Sequence, residues 1–181
     1  MKFCSNCGSN QLDFVIPKND SFKRFFCGNC GIIHYQNPNL IVGGLVLYEN
    51  KILLCKRAID PKFGLWNLPA GFLENGETVE AGALREIYEE SLVKPKIIKP
   101  HVIYNLPGVD QVYIHFLCEM DKPKFGITPE SSEVKLFSPD DIPWDDIAFH
   151  STRFAIEKYL EHGPEFQGVH VGTYQGNEKW R

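Results

Sequence analysis

Cys4 and Cys7 form a C-x2-C pair, Cys27 and Cys30 form a second, and 19 residues separate the two. This spacing limits what residues 1 to 36 can become. Their short Gly-, Asn- and aromatic-containing segments cannot bury a core of their own, so they need a staple. Two C-x2-C knuckles can close a tetrahedron of thiolates around Zn²⁺, and because all four positions are cysteine none is left for water; the ion is expected to be structural. Disulfides are the rival reading, opposed by a reducing compartment. Gly8, Gly28 and Gly31 sit in or just after the knuckles, where a positive φ is useful. Cys55 and Cys118 stand alone in apolar runs and read as buried fillers.

The other 145 positions are enough for one further domain, residues 37 to 181, and a 43% hydrophobic content can fill its core. The formal net charge is -4, from 19 basic and 23 acidic residues, which argues against nucleic acid or an anionic membrane as the main partner. Within residues 1 to 36, Lys2, Lys18, Lys23 and Arg24 outnumber Asp13 and Asp20 only slightly. No stretch approaches the roughly 18 apolar residues of a membrane span, and the opening MKFCSNCGSN lacks a signal-peptide core. A cytoplasmic location is expected.

LIVGGLVLYENKILLCKRA predicts two strands around a Glu-Asn turn. WNLPAGFLENGE predicts a strand entering a Gly-rich loop, and Thr78 is placed to cap a helix from Val79 to Leu92 with an apolar stripe of Val79, Ala83, Leu84 and Ile87. KIIKPHVIYNLP, QVYIHFLCEM and EVKLF predict further strands and TRFAIEKYLEH a second helix, while the tail from Gly163 to Arg181 gives no firm pattern. Interleaved strands and helices with hairpins imply an α/β fold with a mixed sheet.

REIYEES, residues 85 to 91, puts Glu86, Glu89 and Glu90 at i, i+3 and i+4. Like charges so spaced repel, and such a run is usually a solvated helix face. Here, though, Glu86 and Glu90 flank the apolar stripe, so they are expected to be half buried. Half-buried like charges either protonate or capture a cation, and oxygen ligands suit Mg²⁺ or Mn²⁺.

Residues 71 to 93, GFLENGETVEAGALREIYEESLV, resemble the Nudix box, with Gly71, Glu77, Arg85, Glu86, Ile87, Glu89, Glu90 and Val93 in place and Leu92 where the pattern has Gly. With the four-cysteine module, HYQNP after it, WNLPAGF before the box and SSEVKLFSPDDIPW later, the chain is similar to zinc-ribbon Nudix hydrolases, a group that includes NADH pyrophosphatases and ADP-ribose pyrophosphatases. The SQPWPFP-type stretch that marks NADH pyrophosphatases is replaced by IYNLPGVDQVYIHF.

The resemblance implies an α/β/α sandwich with a mixed sheet and metal-dependent hydrolysis of a nucleoside diphosphate linked to another group: ADP-ribose, FAD, NADH or a nucleotide sugar. It implies catalytic Mg²⁺ or Mn²⁺ held by Glu86, Glu89, Glu90, the Ala70 carbonyl and Glu133. Glu89 or Glu133 would serve as the base, with Glu130 a substitute for Glu133. Gly71 would support the loop conformation, Glu77 and Arg85 would pair structurally, and the enzyme would be a homodimer. Arg57 could touch a phosphate, and Phe63, Trp66, Tyr104 or Tyr113 could stack on a base, although each aromatic also reads as core. A non-catalytic nucleotide sensor and an RNA 5′-end processing enzyme are the alternatives.

Overall fold

The computed structural model describes residues 1 to 174 and 176. It divides into two compact units, Met1–Pro38 and Asn39–Arg181, with the division two residues past the expected one.

The first unit is an antiparallel sheet of β1 (Leu12–Val15), β2 (Arg24–Cys27) and β3 (Ile33–His34). Its two cysteine turns repeat one construction. The Gly8 N–H donates to the Cys4 carbonyl at 2.9 Å and the Gly31 N–H to the Cys27 carbonyl at 2.8 Å. Both glycines have φ +74, a conformation that a Cβ would penalise, whereas Gly28 does not adopt it.

The second unit is built on β4 (Asn39–Tyr48), β5 (Lys51–Arg57), β6 (Trp66–Asn67), β7 (Ala70–Phe72), β8 (Lys96–Leu106), β9 (Gln111–Glu119), β10 (Ser131–Phe137) and β11 (His170–Thr173), with helices α1 (Val79–Ser91) and α2 (His150–His162). The sheet order is β10-β5-β4-β9-β8-β11, with β4/β9 and β8/β11 parallel and the other neighbours antiparallel, so the sheet is mixed.

Side-chain alternation along each strand gives the sheet two apolar faces. Leu45, Leu47, Ile52, Leu54 and Leu117 pack with Ala155 and Ile156 of α2. Val42, Val46, Leu53, Phe116 and Cys118 pack with Ala83 and Ile87 of α1. One helix thus covers each face, which is an α/β/α sandwich. Burying a side chain of this size stabilises by roughly 1.5–3 kcal/mol, which explains why β4 reads as a continuous apolar run rather than an alternating one.

Two elements differ from the sequence-based expectation. WNLPAGF forms two short strands instead of one, because Pro69 lacks the N–H that a continuous ladder requires. The tail contains β11, which pairs in parallel with Val102 to Asn105 of β8. The tail positions 175 and 177 to 181 lie outside the described residues.

The β4/β5 hairpin is wedged open. Its strands pair directly only beside the turn, at Leu47 with Ile52 and Tyr48 with Lys51. Beyond that point β7 lies on β4 and β6 on β5. Gly43 allows the wedge: a Cβ there would collide with the Pro69 carbonyl and with Ala70.

Candidate active site and metal centre

Helix α1 is fixed at both ends. The Thr78 hydroxyl accepts the Ala81 N–H at 3.1 Å, which caps the start. At the other end Leu92 takes the left-handed conformation, φ 61 and ψ 13, and donates its N–H to the Tyr88 carbonyl at 2.8 Å. The helix therefore stops at Ser91, one residue before its expected end, and a leucine occupies a cap that normally favours glycine.

The helix face beside Ala83 and Ile87 carries Glu86 and Glu90, 9% and 6% exposed, so they are buried rather than half buried. Burial pushes the Glu86 carboxyl above its usual range, opposed by Arg85 and helped by Glu89 and Glu130. It pushes Glu90 up to about 8, opposed by the Ala70 N–H and Arg57 and helped by Glu86 and Glu130. Glu90 Oε2 accepts the Ala70 N–H at 3.2 Å, tying α1 to β7.

Arg85 organises the acids around it. Its Nε and Nη2 donate to the two oxygens of Glu77 at 2.7 and 2.8 Å, and Nη2 also reaches the Phe72 carbonyl at 3.0 Å. Nη1 donates to Glu86 at 2.6 Å and to Glu89 at 2.9 Å. This bidentate bond holds the Glu77 carboxyl down, at about 2.

These groups line a cleft of about 1270 Å³. Its lining combines the acids Glu86, Glu89, Glu90 and Glu130 with the apolar Ile41, Phe72, Leu106 and Val109. Of the residues expected from sequence, Arg57 and Tyr113 also reach the cleft. Phe63 is exposed away from it, and Trp66 and Tyr104 are packed into the core on the α2 side. Glu133 is not on the cleft wall; it faces Lys56 Nζ at 3.7 Å, while Glu130 lines the cleft.

Sequence reading missed Phe149, whose ring lies 5.2 Å from the Arg57 guanidinium carbon, and the loop held by Arg57 Nε donating to the Pro61 carbonyl at 2.7 Å. Phe149 stands 92 positions beyond Arg57, and no local pattern links them.

The buried acids provide hard oxygen donors whose charge lacks full compensation, which fits Mg²⁺ or Mn²⁺. Among the described residues, the four cysteines are the one set of three or more ligand groups whose donor atoms all lie within 4.8 Å. Zn–S bonds of about 2.3 Å imply tetrahedral edges of about 3.8 Å. Cys4 and Cys30 sulfurs are 3.7 Å apart and Cys7 and Cys27 sulfurs 3.6 Å, with all four cysteines free, so the cluster fits zinc and not disulfides. The Asn6 amide donates to Cys30 and the Asn29 amide to Cys7, each across to the other knuckle at 3.6 Å. The Ser9 N–H and then Asn29 lower the Cys7 thiol to about 6.

A wedge-opened mixed sheet, one helix per face and the acid-lined cleft define a Nudix fold. The chain belongs to the NUDIX domain family, which matches residues 38–156, and the Nudix N-terminal zinc-ribbon family matches residues 2–36. It is a zinc-ribbon Nudix hydrolase.

A crystal structure of a NUDIX hydrolase from Nitrosomonas europaea is 43% identical with a TM-score of 0.90, covering 96% of this chain and 99% of that one. An ADP-ribose pyrophosphatase from Methanocaldococcus jannaschii is 34% identical over 113 residues, 60% of this chain and 67% of that protein. The NAD-capped RNA hydrolase NudC from Salmonella paratyphi C is 30% identical over 147 residues, 78% of this chain and 53% of that protein, so the match spans about half of its length. No helix among the described residues is long and apolar enough to cross a membrane.

Proposed function

We propose that the chain hydrolyses the pyrophosphate of a nucleoside diphosphate linked to another group, with ADP-ribose as the first substrate to test. The observation that carries this reading is the pair Glu86 and Glu90, buried side by side on α1 at the wall of one cleft. A chain that keeps such a pair gains nothing in stability, since burial opposes ionisation of both. Their use is to hold Mg²⁺ or Mn²⁺, with Glu89 and the Ala70 carbonyl beside them. Bound cation supplies charge neutralisation for the pyrophosphate and acidifies the attacking water.

The protein supplies the rest. Arg85 fixes Glu86 and Glu89 through one nitrogen and ties them to the Glu77 loop. The base that takes the water's proton is a glutamate, Glu89 or one from the segment holding Glu130 and Glu133. Glu130 is favoured within that segment because it lines the cleft. Arg57, steadied by Phe149 and Pro61, would contact a phosphate, and Tyr113, which lines the same cleft, would stack on a base.

The reading includes a homodimer, supported by the resemblance to enzymes that pair to share substrate contacts, and a cytoplasmic location, supported by four free thiols spaced for zinc. An RNA 5′-end substrate is the second reading, favoured by the similarity to an NAD-capped RNA hydrolase.

The test is incubation with Mg²⁺ or Mn²⁺ and ADP-ribose, NADH, FAD, nucleotide sugars and NAD-capped RNA, followed by product identification. AMP and ribose 5-phosphate from ADP-ribose support the reading. Undiminished turnover by Glu90→Gln or Glu86→Gln, or binding of ADP-ribose with no cleavage of any compound, overturns it.

A further inference from the structure

The first unit carries a surface that the pyrophosphate chemistry does not use. Arg24 on β2 is flanked by two exposed aromatic rings. Its guanidinium carbon lies 5.6 Å from the centroid of Phe22 and 5.2 Å from that of Tyr35. Phe22 is 69% exposed and Tyr35 64%, so each presents most of its face to solvent while one guanidinium spaces the two. Asp20 holds the arrangement: its carboxylate accepts the Arg24 Nε–H at 3.2 Å and the N–H groups of Ser21 and Phe22 at 2.7 and 3.0 Å.

The cysteine cluster explains none of this. Register pairs Arg24 with Val15 and Phe25 with Phe14 and His34. Alternation along β2 then puts Arg24 on the sheet face opposite Phe25, His34 and the ligand Cys27.

Charge separates the two parts of the chain. Residues 1 to 38 hold four basic and two acidic side chains, a net of +2. The remainder holds 15 basic and 21 acidic, a net of -6. Lys18 and Lys23, both exposed, have no acidic partner among the described residues. Exposed aromatics interleaved with a cation, on the one basic part of an acidic chain, are what a single-stranded polynucleotide requires: faces for its bases and positive charge for its phosphates.

We infer that the Phe22–Arg24–Tyr35 face of the ribbon binds single-stranded nucleic acid by base stacking, with Lys18 and Lys23 contacting phosphates. This reverses the weight that overall net charge places against nucleic acid, because that charge averages over two unlike parts. The inference is independent of the hydrolysis reading, since the face shares no residue with the cleft.

The test uses the full-length, zinc-loaded protein and a fluorescein-labelled ten-nucleotide RNA with a 5′-hydroxyl, which offers no pyrophosphate. Fluorescence anisotropy at low salt is expected to show binding that weakens as salt rises, at about 0.7 log units per log unit of salt for each phosphate contact. Phe22→Ala combined with Tyr35→Ala is expected to weaken binding at least about tenfold, while Phe14→Ala on the opposite face leaves it unchanged. The zinc content of the double variant is expected to stay at the wild-type value, which shows that the module is folded. No binding by wild type, equal binding by the double variant, or a double variant that instead changes oligomeric state in light scattering overturns the inference.

Discussion

Gly71 lies against the carboxylate of Glu86 so closely that a Cβ at position 71 would overlap it, with Glu86 Oε1 at 2.7 Å and Oε2 closer still. Glycine is needed here for clearance, since Gly71 has no positive φ. Gly71→Ala should displace the Glu86 carboxylate while β7 keeps its pairing to β4. Turnover should fall about 100-fold, the effect of a misplacement near 1 Å, with a stability loss of only about 1–2 kcal/mol. Kinetics and denaturant melts on the same sample check this, and unchanged turnover would refute it.

Glu90→Gln should make the metal-free protein more stable as well as less active. Unfolded, Glu90 titrates near 4.5; folded, near 8. Between these values the folded state holds more protons, so the contribution of Glu90 lowers wild-type stability as pH rises from 4.5 to 8 and is constant above. The gain in the variant should be about 1 kcal/mol at pH 5.5 and a few kcal/mol at pH 8. Urea melts in chelator across this range test it; parallel curves for the two proteins would exclude it.

Leu92→Gly should stabilise the domain. A left-handed leucine carries a conformational cost of about 1–2 kcal/mol, partly offset by the greater freedom glycine has when unfolded. The Leu92 side chain is 47% exposed, so little packing is lost. A net gain of about 0.5–1 kcal/mol is expected from melts, with turnover unchanged; a loss of stability would show that the leucine side chain contributes more than its strain costs.

Removing zinc should unfold the first unit and spare the second. Beyond its cysteine cluster, the first unit holds only a three-stranded sheet in which Cys27 is the one buried strand residue, which cannot offset chain entropy unaided. Hydrogen exchange after chelation, or in Cys30→Ser, should show loss of protection in β1 and β2 and retention in β4 and β9. Protection retained throughout would mean that the cluster does not hold the fold.

Local chemistry was readable from sequence and distant pairing was not. The cap at Thr78, the stripe on α1 and the cysteine knuckles are patterns within a few residues. β11 escaped because HVGT is too short to show a period and is held by β8, nearly 70 positions earlier. Trp66 and Tyr104 could be platforms but read more readily as core, and tertiary packing buries them there. Glu130 and Glu133 differ by three positions on a segment with a register shift between Ser131 and Glu133, so which of them faces the cleft depends on an irregularity that alternation cannot foresee.

On the proposed reading, the wedge between β4 and β5 keeps two duties in separate places. The acids ride on α1, which Ala83 and Ile87 pack against the sheet, whereas Arg57 and the loop through Pro61 lie at the end of β5, which has left β4 there and pairs with Ser131 of β10. Changes in the loop beyond Arg57 need not move the helix that carries the acids. A scaffold of this kind can exchange what it recognises while leaving how it cuts untouched, and this loop is therefore the first place to engineer a different leaving group.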